Sequence, residues 1–250
     1  MADTRRFMRV WIRTLNHFER QLRIDVARAR NAFIKSAAAN YETSSGLSAH
    51  LAVAYRDRLR ATLDTHYRLV IPHFAAMTVQ QIKSRRKAAT TQTDFQDLMT
   101  GWVSREALRK AKMIADTDRA DILDAIDSGV QSGLGVAEIS RDIRKVSSLT
   151  PFRAALISRT ETHAAATYAS NESARTMENA LGMKLLKVWL PTLDDRTRPE
   201  HAAMASYPAI PLDEMFNVGG EMMDRPGDSS ASPDMTINCR CAMSYEEAST

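Results

Sequence analysis

The sequence has no run of 18 or more apolar residues, and Arg5, Arg6, Arg9, Arg13 and Arg20 break up its first twenty positions. Neither a membrane span nor an export signal is expected. Cysteine is nearly absent: Cys239 and Cys241 are the only two, too close along the chain for the unstrained loop-closing disulfide of a secreted scaffold. Synthesis in a reducing cytoplasm is the corresponding expectation. Aromatic residues make up only 6%. With Ala, Leu, Met and Arg plentiful, the composition favours helix over strand, because straight-chain side chains lose little rotamer freedom there. Hydrophobic content of 44% and charged content of 26% leave enough apolar surface for a core and give no general signal for disorder. A chain of 250 residues is better divided into two modest domains than gathered into one.

What charge there is runs as a gradient. Residues 1–92 carry 17 basic and 6 acidic side chains, a net of +11; residues 93–187 carry 13 of each; residues 188–250 carry 4 and 11, a net of −7. A basic arm on an acidic head suits a protein with a polyanion at one end and protein at the other. A solvated cationic helix face is the plainer account of the same numbers.

Along the chain, residues 4–40 read as one long helix, with Phe7, Val10, Trp11, Leu15, Phe18, Leu22 and Val26 forming its apolar stripe. Arg9, Arg13, Arg20, Arg23, Arg28 and Arg30 fall on its other faces. Thr43-Ser44-Ser45-Gly46 breaks the pattern, which resumes over 47–87 through Leu51, Tyr55, Leu59, Leu63, Tyr67 and Val70, with Pro72 marking an interruption or kink. The segment ends in Lys83, Arg85, Arg86 and Lys87. That cluster is a candidate phosphate contact working by counterion release, or a helix end favoured by the macrodipole. A polar linker is expected at residues 88–93. Residues 95–115 and 118–129 read as two further helices, the second beginning among Asp116, Asp118, Asp121, Asp124 and Asp127, which read as a solvated acidic face rather than a calcium loop. Gly133-Leu134-Gly135 turns into another helix, a hairpin that packs rather than a DNA-reading unit. Pro151 opens a long helix running to about residue 180, where Gly182 caps it. Residues 183–190 then read as a strand ended by Pro191, residues 219–233 as loop, and residues 236–245 as a final short strand. The fold class is mainly α: a helical N-terminal two thirds followed by a small, loop-rich α+β C-terminal domain.

Several residues of the second half form an ordered set. Arg159-Thr160-Glu161 lies on a helix with Asn171 further along it; Lys187-Val188-Trp189 ends a strand; Asp194-Asp195-Arg196-Thr197-Arg198 follows with His201, then Pro226-Gly227-Asp228, then Asn238-Cys239-Arg240-Cys241. In this order and spacing, over residues 130–245, the chain resembles the phage Mu F-like head morphogenesis proteins. About 120 residues before that match only in being helical and basic. The segments are then 1–92, a basic helical region; 93–182, a helical region leading into the Mu F-like domain; and 183–250, the α+β part of that domain. The resemblance implies a minor structural protein of a tailed phage or prophage, present in few copies, recruited at the portal vertex and assembled in the host bacterial cytoplasm. It implies roles in procapsid assembly and in DNA packaging, retention or delivery, with portal protein, other head proteins and DNA as partners. No catalytic activity, required cofactor or membrane association goes with it. With the sequence ending nine residues after Cys241, no toxin domain is expected to follow.

The same residues carry chemistry of their own. Cys239 and Cys241 alternate on an extended segment, so their side chains share a face. With His201 they make three ligands that zinc accepts, a structural role for which Asp194, Asp195 or Asp228 would supply the fourth. The alternative is two small buried thiols and a hydrogen-bonded histidine. Arg196 and Arg198 with Asp194 and Asp195 read as an internal ion-pair network. The competing reading is a metal-dependent phosphodiesterase with His201 as general base and the arginines stabilising the transferring phosphoryl group. The net −7 of this section would repel a polyanionic substrate unless a bound cation reversed the local field.

Overall fold

A computed structural model describes residues 2–85 and 96–248. Helix α1 spans Ala2–Ser44, α2 Ala49–Arg85, α3 Gln96–Gln131, α4 Val136–Lys145 and α5 Thr150–Leu181, with one 3-10 turn at Val146–Leu149. Strand β1 (Leu185–Leu190) follows, then the short helix α6 (Pro199–Ala203), β2 (Ile210–Pro211), β3 (Phe216–Val218), β4 (Glu221–Met223), α7 (Pro233–Thr236) and β5 (Ala242–Glu247). The protein is therefore mainly α, with its strands confined to a small C-terminal region. Among the described residues no helix is long and apolar enough to cross a membrane.

The expected helices form, with three differences. First, α2 continues through Pro72; the proline is exposed while Val70, Ile71 and Phe74 around it are buried, so packing offsets the hydrogen bond lost there. Second, α3 is a single helix where two were expected. Thr117 Oγ1 donates back to the Met113 carbonyl at 2.9 Å instead of capping a new helix. Third, residues 219–233 are not all loop: β3 and β4 pair antiparallel, Val218 opposite Glu221, across Gly219 and Gly220 at φ 60° and 94°. A two-residue turn with both residues in the left-handed region is the type I′ geometry that glycines favour. The linker expected at residues 88–93 lies outside the described residues, as do Arg86 and Lys87.

The chain divides into two compact units that are not contiguous in sequence, and each draws on more than one of the segments 1–92, 93–182 and 183–250. One comprises residues 19–66 and 101–158. Its core is aliphatic, with Leu22, Val26, Leu59, Leu63, Ile122, Ile139 and Ile143 buried, and it encloses ionisable groups. Arg30, expected on a solvent face, is fully buried, as is Asp118, expected on an acidic surface; the neighbouring Asp116, Asp124 and Asp127 are exposed. Arg30 Nε donates to Asp118 at 3.1 Å, and Tyr55 OH donates to the other Asp118 oxygen at 2.6 Å. Burial, followed by the charge of Asp118, raises the Tyr55 hydroxyl far above its ordinary value and keeps it a donor.

His66 is buried in the same unit, and burial lowers its pKa from 6.5 to about 4 against an opposing pull from Asp25. The folded chain thus resists protonation down to about pH 4, while an unfolded chain takes up the proton near its ordinary value of about 6.5. Stability contributed by the neutral ring is complete above that value and is lost as pH falls towards 4, a change of about 3 kcal/mol. Urea unfolding across this window should show a steep acid-side loss for the natural chain and a flatter profile for His66→Gln. An unchanged slope in the variant would assign the acid loss to other groups.

The other unit comprises residues 1–18, 67–100 and 159–250. Its core gathers Ile82 of α2, Ala174 and Met177 of α5, and most of the C-terminal strands and loops: Leu185, Trp189, Met204, Phe216, Met223 and Met243 are all buried in one cluster. A three-stranded antiparallel sheet orders its strands β2-β1-β5, with Leu185 opposite Glu247 and Leu190 opposite Ala242. β1 alternates buried and half-buried residues, the period-two pattern of a strand with one face in the core. That register holds Cys241, immediately before β5, close to the segment that follows β1.

Candidate functional site

The landmarks of the second half converge within the unit that carries the strands. Pro199 at the first turn of α6 fixes the helix start, and His201 on that turn is buried with its ring edge against Trp189, the centroids 5.4 Å apart and the planes at 83°. Cys239 and Cys241 arrive from the other side of the loop layer, on the turn between α7 and β5 where Asn238 adopts φ 60°. His201 Nδ1 lies 3.6 Å from Cys239 Sγ and 3.5 Å from Cys241 Sγ. The three ligand atoms all sit within 4.8 Å of one another, and all three residues are buried. Burial, reinforced by a hydrogen bond with Cys241, pushes the Cys239 thiol well up. The hydrogen bond from Cys239, then the one with His201, draws Cys241 well down.

Asp194 is held in place by Arg240, whose two terminal nitrogens donate to the two carboxylate oxygens at 2.6 and 2.7 Å. The Arg196 amide and the Thr197 hydroxyl also donate to Asp194 Oδ1, both at 3.1 Å. The Arg240 hydrogen bonds, opposed by burial and aided by the Arg196 and Thr197 donors, hold the Asp194 carboxyl well below the carboxylate range. The ion pairing expected of Arg196 and Arg198 thus falls to Arg240. Arg198 donates instead to the Ile237 carbonyl at 2.5 Å, while Arg196 and Asp195 are exposed. None of Asp194, Asp195 and Asp228 joins the His201 group among the described residues. Asp228 accepts the Asp224 and Ser230 amides at 2.9 and 3.1 Å.

Helix α5 supplies the other landmarks. Arg159 donates to the Asn238 side chain at 2.9 Å, and Thr160 Oγ1 accepts the Asn238 amide at 3.3 Å, so the strained turn before Cys239 is tied to α5 at two points. Glu161 accepts from Tyr67 OH at 2.7 Å. Asn171 donates to Asp224 at 2.6 Å. Two buried residues, His163 and Lys187, had no role assigned to them from the sequence. His163 is fully buried and its Nε2 donates to the Cys241 carbonyl at 2.7 Å; burial lowers its pKa, opposed by that hydrogen bond. Gly227, at φ 70°, passes so close that an added Cβ would lie 2.6 Å from His163 Nδ1. Within the Pro226-Gly227-Asp228 landmark, this approach is what requires the glycine. Lys187 is the other residue: fully buried, with its ammonium 2.6 Å from Asp224 Oδ1. Its position on an alternating strand was visible in the sequence; its partner, 37 residues away, was not.

Of the basic cluster at the end of α2, Lys83 is half-buried and Arg85 closes the helix; Arg86 and Lys87 are outside the described residues. The His201 group lines a cavity of ≈ 10 Å³, about the size of one water molecule.

A family model described as phage Mu protein F like protein matches residues 120–244, from within α3 to within β5. The match places the chain among phage head morphogenesis proteins, components of the virion. Within them, the chain belongs to the phage Mu F-like family. No curated protein and no solved structure matches it.

Proposed function

We propose that this protein is a minor head protein acting at the portal vertex in procapsid assembly and in DNA packaging or delivery, without catalytic activity, present in few copies and assembled in the host cytoplasm. The observation that carries this reading is the family match over residues 120–244. The charge gradient supports a division of labour. The C-terminal region, net −7, suits docking on portal or neighbouring head subunits, and the first 92 residues, net +11, suit DNA. Against the phosphodiesterase alternative stands the ≈ 10 Å³ cavity at His201, Cys239 and Cys241, about the volume of one water and too small for a phosphodiester. The spent acceptors of Asp194 argue the same way: its carboxylate serves Arg240, Arg196 and Thr197, leaving little for a substrate or a second metal.

Charge reversal of Lys83, Arg85, Arg86 and Lys87 together tests the polarity. DNA retention should weaken and lose salt dependence, by roughly 0.9 in log-log slope for each phosphate contact removed, while portal co-purification from phage-infected or co-expressing cells stays unchanged. Loss of portal binding with DNA binding intact would reverse the assignment. Plasmid cleavage in the presence of divalent metal, abolished by His201→Ala, would instead establish the enzyme.

A further inference from the structure

We propose that His201, Cys239 and Cys241 bind one tetrahedral zinc ion, that a water molecule held by Thr192 completes the coordination, and that the ion staples the loops of the C-terminal region. The ligand geometry is the first support. Zinc bonds of about 2.3 Å to sulfur and 2.0–2.1 Å to nitrogen, at a tetrahedral angle, place sulfur about 3.5–3.6 Å from nitrogen. The observed separations of Nδ1 from the two sulfurs are 3.6 and 3.5 Å. Hydrogen bonds from Cys239 to Cys241 and between Cys241 and His201 leave the approach of Cys239 to His201 unaccounted for. A neutral imidazole nitrogen has either one lone pair or one proton to offer at Nδ1, so it makes one good hydrogen bond there, yet two thiols approach it at nearly the same distance, 3.6 and 3.5 Å. A single cation between the three atoms satisfies them all.

Charge points the same way. The thiols bind as thiolates, releasing their protons to solvent, so a dipositive ion with two thiolates and a neutral imidazole forms a site of zero net charge. Such a site can be as buried as these residues are without the penalty of an isolated ion. Two soft sulfurs and one imidazole select zinc over calcium or magnesium.

The fourth position follows from the cavity beside the ligands. It is lined by Thr192 and Arg198 as well as by His201 and both cysteines, and its volume is ≈ 10 Å³, enough for about one water. Thr192 Oγ1 is buried and has no hydrogen-bond partner among the described residues. A metal-bound water in this space gives that hydroxyl a partner and replaces the carboxylate fourth ligand expected from the sequence. The burial of all three ligand residues also sets the role. With room for one small ligand, the ion holds the connection after β1 against the turn before β5, a closure spanning 38 residues from His201 to Cys239, instead of presenting a reactive water to a substrate.

The test uses the full chain purified in reducing buffer without added metal. Elemental analysis should find about one zinc per chain, and chelation should lower the melting temperature by about 10 °C or more. Exchange with Co²⁺ should produce thiolate charge-transfer bands and the intense visible bands of a tetrahedral ion. Cys239→Ser, Cys241→Ser and His201→Ala should each lose the metal. Thr192→Val should keep it but bind about tenfold or more weakly, as for outer-shell partners generally. The wild-type measurements stand even if a ligand variant fails to fold. Less than about a tenth of an equivalent of zinc, unchanged melting after chelation and no cobalt charge-transfer band in the phosphine-reduced chain would together overturn the site. Unchanged affinity in Thr192→Val would overturn the assignment of the water.

Discussion

Replacing Arg30 by Leu should destabilise the protein by about 3–5 kcal/mol, because it strands a buried carboxylate. Arg30 has no exposed surface, and its guanidinium donates to three acceptors, Asp118 Oδ1 at 3.1 Å, the Val146 carbonyl at 3.2 Å and Thr150 Oγ1 at 2.9 Å, with Nη2 in an ion pair with Asp121 at 3.5 Å. Asp118 is 1% exposed. Without Arg30 it keeps Tyr55 OH at 2.6 Å and Arg153 Nε at 3.3 Å, but Arg153 is partly exposed and is screened by solvent. The Val146 carbonyl and the Thr150 hydroxyl lose a donor as well. Arg30→Lys should recover only part of the loss, since an ammonium cannot reproduce the planar fork that reaches acceptors on α3 and at the start of α5 together. Urea titration monitored by far-UV circular dichroism measures both variants. A cost below about 1 kcal/mol for Arg30→Leu would mean the pair is solvated in solution and would remove the network as a source of stability.

Arg30 also marks where sequence reading stops. It lies four residues after Val26 and three before Phe33, on the same face of α1 as the apolar stripe, whereas the exposed Arg23 and Arg28 fall off that face, so periodicity could have shown its burial but not its partner. That partner is Asp118, 88 residues away. The same distance effect explains Asp194: Arg196 and Arg198 were near in the motif, and the one that pairs, Arg240, arrives through the β1–β5 register and not through proximity in sequence. Helices were legible because periodicity is local, so α1 ends beside Ser45, α4 starts just after Gly135 and α5 ends just before Gly182. The false break inside α3 came from treating acidic residues as a helix start, when Asp118 is used by tertiary partners. The β3–β4 hairpin, by contrast, could have been read: Val218-Gly219-Gly220-Glu221 has the two-residue glycine turn that marks such pairs. Grouping His201 with Cys239 and Cys241 was legible as chemistry, since the residue types suggest a ligand set. Their separations needed the fold.

Asp224→Ala should be nearly as costly as loss of Arg30, about 3–5 kcal/mol, and the reason lies in a residue that the motif does not contain. Asp224 follows β4 and gathers donors from two elements. Lys187 on β1 reaches its Oδ1 at 2.6 Å and its carbonyl at 2.9 Å, Asn171 on α5 reaches Oδ2 at 2.6 Å, and Arg175 one turn further along α5 reaches Oδ1 at 2.9 Å. Lys187 has no exposure to solvent. Burial lowers its pKa, and the hydrogen bond and charge of Asp224 oppose that fall. Removing the carboxylate therefore leaves a buried ammonium facing Arg175 and Arg225 without its counter-charge, with the backbone carbonyl of residue 224 at 2.9 Å and the Phe216 ring, 5.3 Å from the nitrogen, as neutral partners. Lys187→Met added to Asp224→Ala should restore about 1–3 kcal/mol, because an apolar chain of similar length fills the space without needing a partner. Since Asn171 is one of the residues on which the resemblance was argued, the same cycle bears on what it does here: it donates to the carboxylate that neutralises Lys187. Additive effects of Lys187→Met and Asp224→Ala in denaturant unfolding would contradict the coupling, and would leave Asn171 as a packing residue of α5.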